Sequence, residues 1–464
     1  MKNDIVWDQE VDVLIVGSGF AGLSAAIEAK SRYNNVMIIE KMKAAGGNSI
    51  ISDGGIAAPN THLQNQKNIA DSKELMYQDM IKAGLGYNNP ILLKTLVEHA
   101  KEAFKWTIDS LEVPYLDRVD IFGGHSVARC YTPVGISGGI IIRKMMKKIN
   151  ELCIPIKYSH YFQSILVNDQ HVVIGAVILK DYNYKTQQGT TMKIKVNKGI
   201  ILASGGYGAD VSFRQIQIPR LTSDISTTNK PFATAEVLKS ALSIGAGSVQ
   251  LSHIQLGAWS SPDEKGFGHG PLFADYILFQ YGVIIDPITG KRFINELIDR
   301  KQSADALLNI GHPCIGIADD EAVKTSGWDI SKAVNKNVVV KFDSLKQIAE
   351  HYDIPFDPLR TTIKRYNNFV KIRHDKDFQK PIVELAKPIE TKPYYVMRLW
   401  PKVHFTMGGL LINEKANVLD FNGNIIKNLY AAGEVVGGVH GASRLGSCSI
   451  TECIVFGRIA GQNI

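Results

Sequence analysis

A glycine-rich segment near the C-terminus, residues 431–446, carries the residue types best suited to bind a charged small molecule. Backbone rich in glycine can lie close to a large flat ligand. The same segment contains Glu434 and Arg444. A guanidinium can bind a carboxylate through two parallel N–H bonds, so Arg444 predicts an anionic substrate. The alternative is that Arg444 is structural and pairs with Glu434 or Glu452.

A second glycine loop, residues 17–22, stands more than 400 residues earlier with the sequence Gly-Ser-Gly-Phe-Ala-Gly. Residues 11–16 predict a buried strand, residues 23–30 a helix and residues 35–40 a second strand. In this βαβ context the loop matches a dinucleotide fingerprint, in which the helix N-terminus binds phosphates. Glu40 is then placed to accept hydrogen bonds from ribose hydroxyls. If both glycine segments bind one cofactor, the protein is a flavoenzyme.

The composition is that of an ordinary globular protein, with 45% hydrophobic and 21% charged residues. A net charge of +7 without a long basic run argues against a nucleic-acid partner. The five cysteines form no CxxC motif, which argues against a zinc site. No run approaches the length of a membrane span. We therefore expect a cytoplasmic protein without an integral membrane segment, although removal of an export leader stays open.

The character of the chain changes along its length. Residues 64–112 predict polar-faced helices, residues 154–180 predict strands, and residues 199–206 predict a buried strand beneath the cofactor. Residues 252–404 are richer in aromatic and polar helical segments, after which the glycine-rich apolar character returns. The simplest interpretation is a second domain inserted into the first.

With these segments laid out, the chain resembles the soluble fumarate reductase flavoproteins of the flavocytochrome c type. They belong to the succinate dehydrogenase/fumarate reductase family, which also includes 3-ketosteroid dehydrogenases. The resemblance rests on residues 17–22 with Glu40, 46–48, 203–206, 290–300, 404–409 and 433–457. It implies an α/β fold: a two-part Rossmann-like FAD-binding domain, residues 1–251 and 405–464, with an inserted α+β capping domain, residues 252–404, that meets the substrate.

The resemblance implies FAD as the cofactor. Asn48 stands where membrane-bound relatives carry the histidine that links covalently to FAD, so noncovalent binding is expected. Glu434 would bind the ribityl hydroxyls, and the helix after Gly446 would direct its N-terminus at the flavin. The implied cofactor-binding residues are Gly17, Gly19, Ala21, Gly22, Glu40, Lys41, Gly46, Gly47, Asn48, Ser49, Gly54, Gly55, Ala203, Ser204, Gly205, Gly433, Glu434, Arg444, Ser449 and Ile450.

The resemblance also implies a catalytic set for reducing the C=C bond of an α,β-unsaturated carboxylate. Reduced flavin N5 would supply the hydride, Arg300 the proton, and His404 with Arg444 would bind the carboxylate. Arginine is an unusual acid, because it holds its proton strongly, and it needs a relay that re-protonates it. From spacing alone, Arg300 would be a surface residue paired with Asp299 or Glu296.

Several positions depart from the family pattern. Gly257 stands in place of a further histidine, Asp275-Tyr276 in place of a Thr-Glu pair, and Phe279 in place of a relay arginine. The side of the site that would hold a second carboxylate is instead aromatic, and the predicted substrate-binding residues are Gly257, Trp259, Asp275, Tyr276, Phe279 and Tyr281. This pattern favours a monocarboxylic enoate with an apolar or aromatic tail over fumarate. The alternative is that these aromatics are only core.

Two further functions stay open. A 3-ketosteroid dehydrogenase or reductase would use tyrosines around a large apolar pocket and would need neither arginine. A non-catalytic flavin electron carrier would need no converging Arg/His set. Because the chain shows no second nucleotide fingerprint and no haem motif, electrons are expected from an external donor protein or reduced flavin.

Overall fold

The main sheet takes its strands from both ends of the chain. The computed structural model of the protein describes residues 5–464, and this sheet has eight strands. Its main path runs, in spatial order, through Asn417–Leu419, Ile425–Ala431, Gln188–Leu202, Gln9–Val16, Val36–Glu40 and Ile156–Tyr158. The antiparallel strands Tyr161–Val167 and Val173–Asn183 continue from the middle of this path. The strand after the predicted nucleotide loop and the strand before the C-terminal glycine segment thus belong to one sheet.

The first strand, Gln9–Val16, lies at the centre and pairs in parallel with Val36–Glu40 on one side and Gln188–Leu202 on the other. Because both faces of a parallel sheet are covered, such a strand is a nearly continuous apolar run. The helix Phe20–Lys30 starts after a loop that only glycine permits: a Cβ at Gly22 would lie 2.0 Å from Gly17 O. The predicted βαβ unit is therefore present.

The last helix, Cys448–Asn463, packs against the first helix. Small residues make the approach close, since a Cβ on Gly457 would lie 2.5 Å from Ala21 O. An ion pair between Arg458 and Glu28, 2.6 Å apart, joins the same two helices. This contact holds the N-terminal and C-terminal glycine segments side by side.

Other helices surround the main sheet. They are His62–Gln66, Lys73–Ala83, Pro90–Asp109, Gly138–Glu151, Val211–Gln217 and Glu236–Ser243. Two short strand pairs join distant segments: Ile56–Ala57 with Cys130–Tyr131, and Ser248–Val249 with Gly409–Leu410. Within residues 5–464, no helix is both long and apolar enough to cross a bilayer.

A separate four-stranded antiparallel sheet lies in the middle of the chain. Its spatial order is Val283–Ile285, Cys314–Asp319, Tyr394–Leu399 and Val340–Phe342. Its helices are Gly270–Phe273, Arg300–Ile310, Asp320–Ser326, Ser331–Asn335, Leu345–Tyr352 and Phe356–Ile372. The strand Ile254–Gly257 pairs with Lys402–Thr406 where the chain enters and leaves this region. The domain boundaries at 251 and 404 stay a prediction.

Candidate active site

A long cavity follows the carboxyl ends of the central strands, where ligands bind in open α/β sheets. Its first part is lined by both glycine segments: by residues 16–21, 39–41 and 46–49, and from the far end of the chain by residues 432–434. The strand end Ala203, Ser204 and Gly205 completes this wall. Phe20, Asn48, Ser49, Glu434 and Cys453 also line a second part, so the two parts are continuous.

The first part suits the pyrophosphate and adenosine of a dinucleotide. A Cβ built on Gly47 or Gly205 would meet no atom within 4 Å, so the backbone there faces open space that a ligand can approach closely. The N-cap residue Gly19 offers no side chain to the helix Phe20–Lys30, and apart from Phe20 N, which donates to Ser49 Oγ at 3.1 Å, its first-turn N–H groups can bind phosphate oxygens. These features fit FAD.

Glu40 lies at the end of its strand, within this first part, and is 8% exposed. Its Oε2 accepts a hydrogen bond from Ser18 Oγ at 2.5 Å, and its Oε1 accepts one from Met42 N at 2.9 Å. These bonds fix the carboxylate at the edge of the cavity. The neighbouring Lys41 donates from Nζ to Thr234 Oγ1 at 2.9 Å, and burial lowers the pKa of its ammonium group.

Glu434 stands where the two parts of the cavity join. Its Oε1 accepts hydrogen bonds from Thr406 N at 3.0 Å and Thr406 Oγ1 at 3.3 Å. Burial raises the pKa of this carboxyl to about 7, against the opposing effect of the Thr406 bonds. Ser449 and Ile450, in the first turn of the last helix, also line the second part. The positive end of that helix therefore faces the cavity.

Two other predicted cofactor residues do not reach the lining. Gly22 packs against Gly17. A Cβ built on Gly54 would lie 2.8 Å from Pro133 and 3.0 Å from Gly138. Gly55, next in the chain, does line the second part. Gly22 and Gly54 thus shape the loops without facing the ligand.

The second part of the cavity brings together three residues predicted to be catalytic, Arg300, His404 and Arg444. Arg444 is 3% exposed, and its guanidinium lies 4.9 Å from the centre of the Phe405 ring. Its Nη1 donates to Leu445 O at 3.2 Å, while its Nε has no partner. Across residues 5–464, no carboxylate lies within ion-pair distance of Arg444; Glu452 instead pairs with His440 at 2.8 Å.

Arg444 therefore carries a buried, uncompensated charge at the cavity wall. Burial, together with the repulsion of Arg300, lowers the pKa of its guanidinium to about 9. A buried donor without a partner costs free energy that an anionic ligand would recover.

His404 lies on the strand Lys402–Thr406 and contacts the same wall. Thr228 Oγ1 lies 2.8 Å from its Nδ1. Burial, followed by the charges of Arg444 and Arg300, lowers the pKa of the imidazole well below its usual range. The ring is therefore neutral near pH 7.

Arg300 opens the helix Arg300–Ile310, which Asp299 caps through the N–H groups of Lys301 and Gln302. Its Nη2 lies 3.3 Å from Asp275 Oδ2, and its guanidinium lies 4.3 Å from the centre of the Trp259 ring. Asp299 is thus occupied as a cap, and Glu296 is bound to Arg292 and Lys380 elsewhere. Neither pairs with Arg300.

Asp275 is the carboxylate partner of Arg300. Its side chain is 11% exposed, and burial raises its pKa to about 6, opposed by the charge of Arg300. Such a group can hold or release a proton near neutral pH.

The predicted aromatic side of the site is only partly present. Trp259 lines the cavity and is packed edge-on to His404, with ring centres 4.6 Å apart. A Cβ on Gly257 would lie 2.4 Å from Trp259 Cζ3, so the indole fills the space beside Gly257. Phe279 and Tyr281 are each 8% exposed and lie outside the lining, in the core of the capping region.

Tyr276 also lies behind the lining and is 2% exposed. Its hydroxyl lies 3.2 Å from Asp53 Oδ2 and 3.2 Å from Thr132 Oγ1. Tyr276 therefore contacts a lining residue, Asp53, but does not line the cavity itself.

Among the residues of the second part that sequence reasoning missed are Asp53, Thr228 and Phe267. A carboxylate between Ser52 and the Gly54–Gly55 pair was a signal that could have drawn attention to Asp53. Phe267 lies between Gly266 and Gly268, both with positive φ, and its ring centre is 6.3 Å from that of His404. Nothing in the local sequence marks Thr228.

Comparison with known proteins decides the family. A family model described as FAD binding domain matches residues 12–450. This chain belongs to that FAD-binding family. The acrylate reductase flavoprotein subunit of Shewanella woodyi is 42% identical over 470 residues, which cover 99% of this chain and 92% of that protein.

Solved structures support the same fold. The open conformation of a flavocytochrome c3 fumarate reductase is 31% identical, with a TM-score of 0.76, over 98% of this chain and 78% of that one. A 3-ketosteroid-Δ4-(5α)-dehydrogenase from Rhodococcus jostii RHA1 is 20% identical, with a TM-score of 0.77, over 99% and 98% of the two chains. At that identity the likeness shows the fold alone.

These findings confirm the predicted family, the α/β fold and FAD as the cofactor. The protein is an FAD-dependent oxidoreductase acting on CH–CH groups. The roles of individual residues stay predictions.

Proposed function

We propose that this protein reduces the C=C bond of a short monocarboxylic α,β-unsaturated acid, with acrylate as the model substrate. The observation that carries the proposal is the pair of guanidinium groups of Arg300 and Arg444 lining one cavity, with the indole of Trp259 beside Arg300. A neutral steroid would leave the buried charge of Arg444 without a partner, which disfavours the steroid alternative.

The carboxylate of the substrate is assigned to Arg444 and His404. Arg444 Nε has no partner and can donate to one oxygen, while a second guanidinium N–H can donate to the other. His404 is neutral and, with Nδ1 accepting from Thr228, can donate from Nε2. Charge-assisted bonds of this kind polarise the conjugated C=C toward enolate-like charge.

The proton is assigned to Arg300, with Asp275 as the group that restores it. The 3.3 Å contact allows a proton to pass from the Asp275 carboxyl to Arg300 as the guanidinium gives its own to the substrate carbon. The raised pKa of Asp275, caused by burial, supports this exchange near neutral pH. Trp259 holds the planar Arg300 against its face and so fixes the direction of the N–H bonds.

The size of the substrate follows from Trp259. The indole occupies the space that a side chain at position 257 would need. If position 257 bears a second carboxylate-binding histidine in fumarate reductases, as the resemblance implies, that partner is here replaced by an apolar ring. The name of the 42% identical relative, an acrylate reductase subunit, supports a substrate with one carboxylate.

FAD is proposed to bind without a covalent bond. Asn48 has no nucleophilic atom, and both ends of its amide are engaged: Nδ2 donates to Asn229 Oδ1 at 2.5 Å, and Oδ1 accepts from Lys230 N at 2.8 Å. When bound and reduced, the flavin supplies a hydride to the substrate. The electron source stays a prediction: an external donor protein or reduced flavin.

The test is a panel of acids mixed with dithionite-reduced protein in a stopped-flow instrument, with flavin reoxidation recorded. Acrylate should reoxidise the flavin fastest, with fumarate and cinnamate slower by at least about tenfold, because the first adds a second charge and the other a ring. In Trp259→Leu, the rate of flavin reoxidation by cinnamate should come closer to the rate with acrylate. Reoxidation by fumarate as fast as by acrylate, or by no acid faster than by buffer, would contradict the proposal.

A further inference from the structure

Within residues 5–464, the arginines that act on Asp275 are Arg300 and Arg444, both of which are assigned to the substrate. The position at which the family resemblance places a relay arginine holds Phe279, whose ring is buried in the capping region. The charged side chains that act on Asp275 are Arg300, Asp53 and Arg444. Of these, Asp53 is the one that can accept and pass on protons without taking part in substrate binding.

Asp53 is the inner end of a chain of buried hydroxyl and carboxyl groups. Tyr276 Oη donates to Asp53 Oδ2 at 3.2 Å, and Thr132 Oγ1 lies 3.2 Å from the same Tyr276 Oη. Thr132 Oγ1 donates in turn to Asp120 Oδ2 at 2.8 Å. Tyr276, Thr132 and Asp120 are 2%, 0% and 8% exposed, so these three members of the chain are buried.

The outer end of the chain reaches the solvent. Asp120 Oδ1 lies 3.0 Å from Nε of Arg118, whose side chain is 32% exposed. Arg118 lines the wide mouth of the cavity together with Lys230, Lys265 and Lys332. Asp120 is therefore one side chain away from water.

The protonation chemistry of the members suits a relay. Burial raises the pKa of Asp120, with Arg118 and Thr132 opposing, so that its carboxyl takes up a proton more readily than an exposed one. Burial and the charges of Asp53 and Asp120 raise the pKa of the Tyr276 hydroxyl, so it stays protonated and passes hydrogen without becoming an anion.

We propose that Tyr276 and Thr132 pass protons from Asp120 to Asp53, from which Asp275 and Arg300 are replenished; this rests on the proposed function. Once Asp120 has taken up a proton and the Thr132 hydroxyl has turned from Asp120 to Tyr276, the Asp120 carboxyl gives its proton to Thr132 Oγ1, Thr132 gives its own to Tyr276 Oη, and Tyr276 gives its own to Asp53 Oδ2. One O–H bond forms as each one breaks, and one proton moves inward without any change of oxidation state. Asp53 and Asp275 line the same cavity, so the last step of the proposed relay runs through a water molecule admitted to that cavity.

A variant that interrupts the relay should lower kcat but leave KM and FAD content intact, which a loss of structure would not do. Tyr276→Phe removes one hydroxyl and keeps the ring that packs edge-on against Phe122, with centres 5.4 Å apart. We expect kcat for acrylate to fall by at least about tenfold, within the range of proton-transfer contributions, with KM and FAD content unchanged. The solvent deuterium isotope effect on kcat should increase, because proton supply becomes limiting. Propionate should perturb the spectrum of the oxidised flavin as in the wild type.

Thr132 provides the conservative pair of variants. Thr132→Val should lower kcat like Tyr276→Phe, whereas Thr132→Ser, which keeps the hydroxyl, should restore it. The matched control is Tyr115→Phe, which breaks a Tyr–Thr hydroxyl contact of 2.8 Å to Thr107 away from the cavity. It should leave kcat and the isotope effect unchanged.

The outcomes separate the two proposals. Wild-type protein that reduces no enoate would overturn the proposed function and the relay with it. Active wild type with an unaltered Tyr276→Phe variant would overturn the relay alone. A kcat loss in Thr132→Ser equal to that in Thr132→Val would also overturn it, because the loss would then follow from packing and not from the hydroxyl.

Discussion

Replacing Arg444 by glutamine removes a buried guanidinium from the cavity wall. Among residues 5–464, this guanidinium has no carboxylate partner, whereas that of Arg300 is paired with Asp275. Leaving a substrate carboxylate without its buried partner costs about 3–5 kcal/mol. Because about 1.4 kcal/mol corresponds to tenfold, kcat/KM should fall by roughly 10² to 10³·⁵. Arg300 still carries positive charge in the same cavity, so we expect the lower end, about 10²-fold.

The assay compares an acid with a neutral analogue that has the same C=C bond. Reduced protein is mixed in a stopped-flow instrument with acrylate or with acrylamide below saturation. Arg444→Gln should slow reoxidation by acrylate about 10²-fold and by acrylamide less than about threefold, since the amide makes no ion pair. Flavin absorbance measures FAD content, and Arg360→Gln, which changes an exposed arginine of the helix Phe356–Ile372, serves as the control.

The pH dependence provides an independent check. The pKa of Arg444 is about 9, so its charge is present below pH 9 and lost above it. Binding of acrylate by wild type should therefore weaken above pH 9, while that of Arg444→Gln should not respond to this titration. Equal losses for acrylate and acrylamide in the variant would refute the reasoning and indicate a structural Arg444.

Three further predictions concern neighbouring groups. Arg300→Ala should abolish turnover and leave FAD bound. The guanidinium of Arg300 contacts Asp275 and the face of Trp259, and among residues 5–464 it is not part of the lining of the first, FAD-binding part of the cavity. Turnover retained at pH 7 would exclude the acid role. Glu434→Gln should weaken FAD binding by about tenfold, measured by flavin titration of apoprotein, since one charge-assisted bond is lost. In the folded apoprotein the pKa of Asp275 is about 6, above the value of 3.8 for an unperturbed carboxyl in the unfolded chain. Protonated Asp275 therefore adds to the free energy of unfolding at low pH, and this contribution is lost as the pH rises through 6. Chemical denaturation should therefore show Asp275→Asn gaining stability relative to wild type between pH 4 and 7, and a constant difference would contradict the assigned pKa.

The parts of the fold that sequence could predict are those fixed by local patterns. The βαβ unit is set by a short apolar strand, a glycine loop and a helix within residues 9–40, so its spacing alone identifies it. Arg444 stands in a glycine-rich segment that marks it by itself, whereas Arg300 is implied by the family resemblance and not by its local spacing. That they face one cavity is a property of the tertiary structure, since 144 residues separate them.

The contacts that define the substrate end could not be predicted in this way. Trp259 lies over Gly257 because of the local turn, and only its orientation decides that it lines the cavity while Phe279 does not. The Tyr276–Asp53 contact joins groups 223 residues apart. Aromatic composition predicts an apolar wall but not which rings face the ligand, because packing against other elements selects their directions.

The balance of charge in the cavity argues for a single carboxylate on the substrate independently of Trp259. Arg300 and Arg444 face it, but Asp275 already compensates Arg300 at 3.3 Å, and Asp53 adds a second carboxylate to the same wall. His404 is neutral because burial and both guanidinium groups lower its pKa. Arg444 therefore remains as the guanidinium of this wall that has no carboxylate at ion-pair distance among residues 5–464. A monoanion neutralises it, whereas the second charge of a dianion would lie among carboxylates in a medium where like charges repel strongly.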